Sequence, residues 1–344
     1  MSISNYWVTA LLVLPLFTGQ EISPHIPREI PCPVETVIAP CICSTLSDFE
    51  MDMDCSGVTD SDELKNIFSQ GFPFNDFVHL YIKNNRGIRV LRAGDLGSAT
   101  FQEIHITNGV LENIEDGALS SSYATLKLLN ITTNVMSTIS ASEISSMQKL
   151  VILDASHNNF NSFPDLTSIC LEILNFGNNP LGGISRDALQ NVKNVTDVQL
   201  PSCQIATLLE GTFTELDQLH NINLDSNHLT TINTGVIDIV VASGSVSLNN
   251  NKIASIAPGA LKGVRDEVWL KNNQLIVLDE QLWRPLFQNG TTLYAEGNPL
   301  SCNCSIAWVV LQETFIHRLG DDVACADGRL IRDLDRDTYV ELCI

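Results

Sequence analysis

An asparagine, or a residue standing in its place, recurs along this chain at intervals of 21 to 25 residues. The positions are Asn85, Gly109, Asn134, Asn158, Asn179, Cys203, Asn227, Asn251, Asn273 and Asn298. Around each lies the pattern Leu-x-x-Leu-x-Leu-x-x-Asn-x-Leu, with the asparagine ninth. The third copy supplies Leu126, Leu129, Ile131 and Met136; the sixth supplies Val195, Val198, Leu200 and Ile205; the seventh supplies Leu219, Ile222, Leu224 and Leu229. Apolar residues at the fourth and sixth places have the period of a strand, so they point inward while the third, fifth and seventh face out. A strand, a turn and a return segment make one coil. A single coil cannot bury its apolar side alone, so coils must stack and pair their strands into one parallel sheet. The ninth-place amide both donates and accepts, and can serve the backbone groups that the turn strands. Segments such as Asp116-Gly117-Ala118-Leu119 and Pro258-Gly259-Ala260-Leu261 read as turns or short helices on the opposite, convex side. The expectation is an α/β solenoid of about ten coils over residues 77–298, with a curved parallel sheet on its concave face.

Such a stack leaves core and strand edges open at both ends and needs caps. Eight of the ten cysteines sit there: Cys32, Cys41, Cys43 and Cys55 before the first coil, and Cys302, Cys304, Cys325 and Cys343 after the last. The caps are placed at 21–76 and 299–344, the second with Trp308 as an apolar plug. Within each C-x-C the two sulfurs are too constrained to pair comfortably, which leaves two connectivities per cap. Cys170 precedes one strand and Cys203 follows the next. About nine residues of extended chain, near ~30 Å, separate those levels, so both are expected reduced.

Persistent disulfides require an oxidising compartment, which favours them over zinc for these cysteines. The apolar run from Val8 to Phe17 fits the core of a signal peptide within 1–20 and falls short of the ~20 residues a membrane span needs. Sequons at Asn130, Asn194, Asn289 and Asn303 fit glycosylation on the same route. The expected address is extracellular, without a membrane anchor.

A formal charge of −21 opposes nucleic acid and anionic membranes and leaves room for a basic partner. No phosphate loop, nucleophile elbow, His-Glu-x-x-His or calcium-loop pattern occurs, and the seven histidines lack metal-ligand spacing. No cofactor or catalytic residue is expected. The concave wall is then the place to bind. Its fifth-place column runs from Tyr81 and His105 through small polar residues to Trp269 and Tyr294, whose rings on adjacent strands are placed to stack. In the third-place column, Leu128, Ile152 and Ile173 form an exposed apolar stripe. A glycan on Asn130 would shield that stripe.

The cysteine clusters flanking the coils resemble the caps of extracellular leucine-rich-repeat proteins. That resemblance implies the interleaved pairs Cys32–Cys43 with Cys41–Cys55, and Cys302–Cys325 with Cys304–Cys343. Residues 31–77, including the four amino-terminal cysteines and Phe72-Pro73-Phe74, and residues 100–119 resemble the non-catalytic leucine-rich-repeat subunits of coelenterazine-type luciferases. This implies a secreted accessory subunit in a hetero-oligomer with a small oxidase as protein partner. The alternative is a soluble immune or matrix recognition protein that takes an extracellular glycan or secreted ligand on the concave face. The register itself is testable: Asn227→Ala should cost about 1–3 kcal/mol in denaturant unfolding, because buried turn groups lose their partner. An unchanged midpoint would count against the register.

Overall fold

The computed structural model describes residues 32–47 and 50–344; the expected signal segment, 1–20, lies outside them. A twelve-stranded sheet runs the length of the molecule. Its first two strands, Ile42–Ser47 and Glu50–Asp54, form an antiparallel hairpin in the amino-terminal cap. The second of these pairs in parallel with Asp76–Lys83, the strand of the first coil. From there every pairing is parallel, through Thr100–Thr107, Leu128–Asn130, Ile152–Asp154, Ile173–Asn175, Asp197–Gln199, Asn221–Asn223, Ser245–Ser247, Glu267–Trp269 and Thr292–Tyr294. These ten strands are the ten coils. In each short strand the central residue is buried, and its neighbours at the third and fifth places are half-buried or exposed.

The core is one continuous column of aliphatic side chains, with Phe77 and Phe101 stacked near the amino end and Phe160 edge-on to Phe176 in the middle. On the convex side the turns after the second and eighth coils lie at 116–119, as expected, and at 258–260, where Leu261 already begins a short strand. The sequence did not reveal that this side also carries short parallel strand pairs, Thr231–Ile232 with Ser255–Ile256 and Ile237–Asp238 with Leu261–Lys262.

The ninth-place amides form a ladder. Asn227 is typical: Nδ2 donates to Leu200 O at 2.8 Å, Leu224 O at 2.9 Å and Asp225 O at 3.3 Å, while Oδ1 accepts from Cys203 N and Ile205 N, both at 2.9 Å. One side chain thus closes its own turn and ties it to the coil before. The two exceptions are handled locally. At Gly109 a Cβ would come within 2.8 Å of Asn134 Oδ1 and 3.0 Å of Asn85 O, so an asparagine would have to displace its neighbours. Asn85 Oδ1 there serves its own coil's Gly87 N and Ile88 N instead. Cys203 Sγ donates to Phe176 O at 3.2 Å but offers no carbonyl, and Leu181 N turns to Asn179 O. Burial pushes the Cys203 thiol up to about 11. Cys203 and the half-buried Cys170 are both unbonded thiols.

Both caps are closed by sulfur. Cys32 is bonded to Cys43, Cys41 to Cys55, Cys302 to Cys325 and Cys304 to Cys343. The helix Ser61–Phe68, capped by Asp60 Oδ1 accepting from Glu63 N, turns Leu64, Ile67 and Phe68 onto the first coil. At the other end Trp308 packs against Phe287 and Phe315, and its Nε1 donates to Leu278 O at 3.3 Å.

The eighth place of the coils adopts a left-handed backbone, with φ between 54° and 58° at Asn84, Asn108, Thr133, His157, Asn178, Ser202, Ser226, Asn250 and Asn272. Asparagine and glycine tolerate that region; a β-branched residue there is strained. Thr133→Asn should therefore stabilise the protein by about 0.5–1 kcal/mol, read as a raised denaturant midpoint.

Candidate binding surface

Strand register lines up the outward residues in two principal columns across the sheet. The fifth-place column joins Asp54, Tyr81, His105, Asn130, Asp154, Asn175, Gln199, Asn223 and Ser247, and continues to Trp269 and Tyr294. Its two ends are built differently.

At the carboxyl end the rings of Trp269 and Tyr294 lie 3.9 Å apart, 13° from parallel. The pair is pinned from the third-place column: Trp269 Nε1 donates to Glu267 Oε2 at 3.1 Å, and Tyr294 Oη donates to Glu267 Oε1 at 3.2 Å. Lys271 Nζ sits 5.1 Å from the Trp269 ring and 3.4 Å from Glu296 Oε2. Desolvation, and then the Glu267 charge, push the Tyr294 phenol above its usual range, which keeps it a neutral donor. On the far side of Tyr294, a Cβ on Gly320 would come within 2.7 Å of the ring, so the cap backs directly onto the pair. The other side of Trp269 opens on a depression of about 300 Å³ lined by Asp197, Gln199, Asn221, Asn223, Ser245 and Ser247.

At the amino end Tyr81 stands in a cluster that sequence reading missed. The rings of His79 and Tyr81 stack at 5.4 Å, His105 lies 5.2 Å from Tyr81, and Lys83 Nζ sits 3.6 Å over the Tyr81 ring. His79 Nδ1 meets Asp52 Oδ1 at 2.7 Å, and Glu103 Oε2 lies 3.2 Å from His105 Nε2. Only part of the signal lay in the repeat register, which puts His79 and Glu103 in the third-place column; Asp52 joins that column from the cap hairpin, outside the repeat. Among the described residues, no group of three or more histidine, cysteine, aspartate or glutamate side chains is arranged to hold a metal ion.

Between these ends Leu128, Ile152 and Ile173 align as a stripe, in register across three strands. They are half-buried instead of exposed, which corrects the expectation of an open patch. Neighbouring strands lie about 4.8 Å apart, so aligned aliphatics cover one another. Asn130 stands beside the stripe with its Oδ1 accepting from Thr132 N, and no hydrogen bond occupies its Nδ2 among the described residues. Asn194 is exposed, but its Nδ2 donates to Ile169 O at 2.5 Å. Asn289 is exposed at the end of helix Glu280–Gln288, and Asn303 Oδ1 caps a short turn through Ser305 N. The four sequons are thus spread over the sheet, the coil edges and the cap, and the structure does not bring them together.

The amino-end cluster sets an acid response. Burial lowers the His105 pKa below its ordinary 6.5, outweighing the Glu103 hydrogen bond and charge that raise it; His79 and Lys83 lower it further. Stability drawn from neutral His105 is complete above about pH 6.5 and is lost as pH falls through the lower folded value. Unfolding midpoints of the wild type should therefore drop on acidification below pH 6.5, and His105→Gln should shrink that drop; equal slopes for the two proteins would exclude His105 as its source.

Comparison with known proteins agrees with this geometry. A family profile described as "Leucine rich repeat" matches residues 100–160. The Oplophorus-luciferin 2-monooxygenase non-catalytic subunit of Oplophorus gracilirostris is 34% identical over 320 residues, 92% of this chain and 89% of that protein. Tsukushi of Gallus gallus is 26% identical over 48% of this chain and 46% of its own length. Among solved structures, a chain of the octameric complex of Latrophilin 3 (Lec, Olf), Unc5D (Ig, Ig2, TSP1) and FLRT2 (LRR) superposes with a TM-score of 0.65 at 21% identity, over 82% of this chain and 86% of that one; it supports the fold alone. With identity above 30% along nearly the whole of both sequences, the chain belongs to the leucine-rich-repeat family of the Oplophorus-luciferin 2-monooxygenase non-catalytic subunit.

Proposed function

We propose that this chain is a secreted, non-catalytic accessory subunit that holds a partner protein against its concave sheet, within a hetero-oligomer. The observation that carries the reading is the near full-length similarity to a protein named as the non-catalytic subunit of a luciferin 2-monooxygenase. In this reading residues 1–20 are a signal peptide, 21–76 and 299–344 are caps, and 77–298 are the binding repeats. Four disulfides fit an oxidising compartment. Among the described residues no helix is long and apolar enough to cross a membrane. The sequons Asn130, Asn194, Asn289 and Asn303 are sites of glycosylation in the same reading, with Asn130 the one that would restrict access to the sheet.

A small oxidase is the partner we favour, and the strongly acidic chain suits one with a basic docking face. The chain contributes stability or secretion to that partner, and the chemistry belongs to the partner. Affinity purification of the chain from native secretion, followed by mass spectrometry, should recover a small oxidase in fixed ratio. The purified chain given coelenterazine should stay dark unaided; light from the chain alone would overturn the accessory role.

A further inference from the structure

We propose that the concave depression beside Trp269 is a binding site for one ring of a neutral pyranose saccharide. The site stands independently of the accessory-subunit reading, because it rests only on the geometry of five adjacent coils.

Three features converge there. The first is an aromatic platform. Trp269 is sandwiched on one side by Tyr294 at 3.9 Å, and its polar edge is held by Glu267. The residues lining the depression belong to the strands on the other side of Trp269, so the open space lies along its unstacked face. A ring fixed in this way loses little freedom when a ligand lands on it. The axial C–H groups of a gluco-configured pyranose form a flat apolar face that suits an indole.

The second is a set of unspent polar atoms. Within the described residues, the Gln199 amide, the Ser245 hydroxyl, Asn223 Nδ2 and Asn221 Oδ1 make no hydrogen bond to protein. The contrast is next door: Ser247 Oγ donates to Asp225 Oδ1 at 2.6 Å, and Asn249 uses its amide on Asp225, Ser247 and Lys271 N. The free set contains both donors and acceptors, which is what a sugar hydroxyl needs, since each hydroxyl does both.

The third is charge and size. Carboxylates surround the site, with Asp197 lining it, Asp225 bonded to Ser247 and Glu267 bonded to Trp269, while Lys271 is paired with Glu296, so a phosphate, sulfate or carboxylate ligand would meet repulsion. A volume of about 300 Å³ lies at the low end for small-ligand pockets and suits a single ring.

The test is a titration of the full secreted chain with the β-1,4-linked trimer of N-acetylglucosamine and with cellotriose, followed by tryptophan fluorescence and saturation-transfer NMR. Trp283 and Trp308 are buried, which makes Trp269 the responsive ring of the described tryptophans. Saturable binding of either saccharide is expected, with Trp269→Ala weakening it about tenfold. Because removing Trp269 also unstacks Tyr294, the second variant is Gln199→Ala, whose side chain makes no internal bond; it should weaken binding while keeping the wild-type unfolding midpoint. Failure of the wild type to bind either saccharide, or undiminished binding by both variants, would overturn the proposal. So would protection of this face from hydrogen exchange by a bound protein in a chain that ignores both sugars.

Discussion

Everything in this molecule depends on the amide that closes each turn. A solenoid gains no long helix and only three-residue strands in most coils, so backbone groups at every bend need partners from somewhere else. The ninth-place asparagine supplies them in both directions, with Nδ2 on carbonyls of two coils and Oδ1 on an amide of the coil before. The hydrophobic column would still favour collapse without it, since apolar burial is non-directional. What the asparagines add is a fixed register, and register places every outward side chain in a column. The surface chemistry follows from a buried hydrogen-bond ladder that never reaches the surface.

That surface is asymmetric. The amino-end cluster mixes histidines, a phenol, a lysine and carboxylates on the first two coils and the cap hairpin. The carboxyl end has a stacked aromatic pair, pinned by one glutamate and backed by the cap. Between them lie half-buried aliphatics and small amides. Each cap therefore does more than seal the core: Asp52 and Gly320 each reach the concave residues at their own end.

The repeat made most of the fold legible in advance, because a ladder of Asn with aliphatics at set offsets has one economical solution. The Trp269–Tyr294 stack was legible for the same reason: adjacent strands at equal register put equal places side by side. The amino-end cluster was not, because Asp52 belongs to a cap hairpin outside the repeat pattern and its pairing with His79 depends on how that hairpin docks. The exposure of Leu128, Ile152 and Ile173 was misjudged because outward-facing is a statement about direction, while burial also depends on what stands alongside. The left-handed eighth place left a faint trace, in that Asn fills it at 84, 108, 178, 250 and 272, yet Thr133 and His157 obscure the preference. The depression near Trp269 had no signature at all, since it arises from small side chains on three neighbouring strands beside one large ring.

The two substitutions in the ladder give the solenoid a grain. At Gly109 and Cys203 the side chain supplies no carbonyl to the preceding coil, and the amides that would have used it turn inward to Asn85 and Asn179. The first and fifth coils are thus self-sufficient, as the tenth is through Leu300 N on Asn298 O, where the other seven are braced by a successor. The first seam is held by the eight-residue strands Asp76–Lys83 and Thr100–Thr107, so transient opening should begin at the second, dividing the rod into a leading block and a trailing block that holds the aromatic pair. Breathing of the middle of the molecule would then leave the geometry around Trp269 undisturbed.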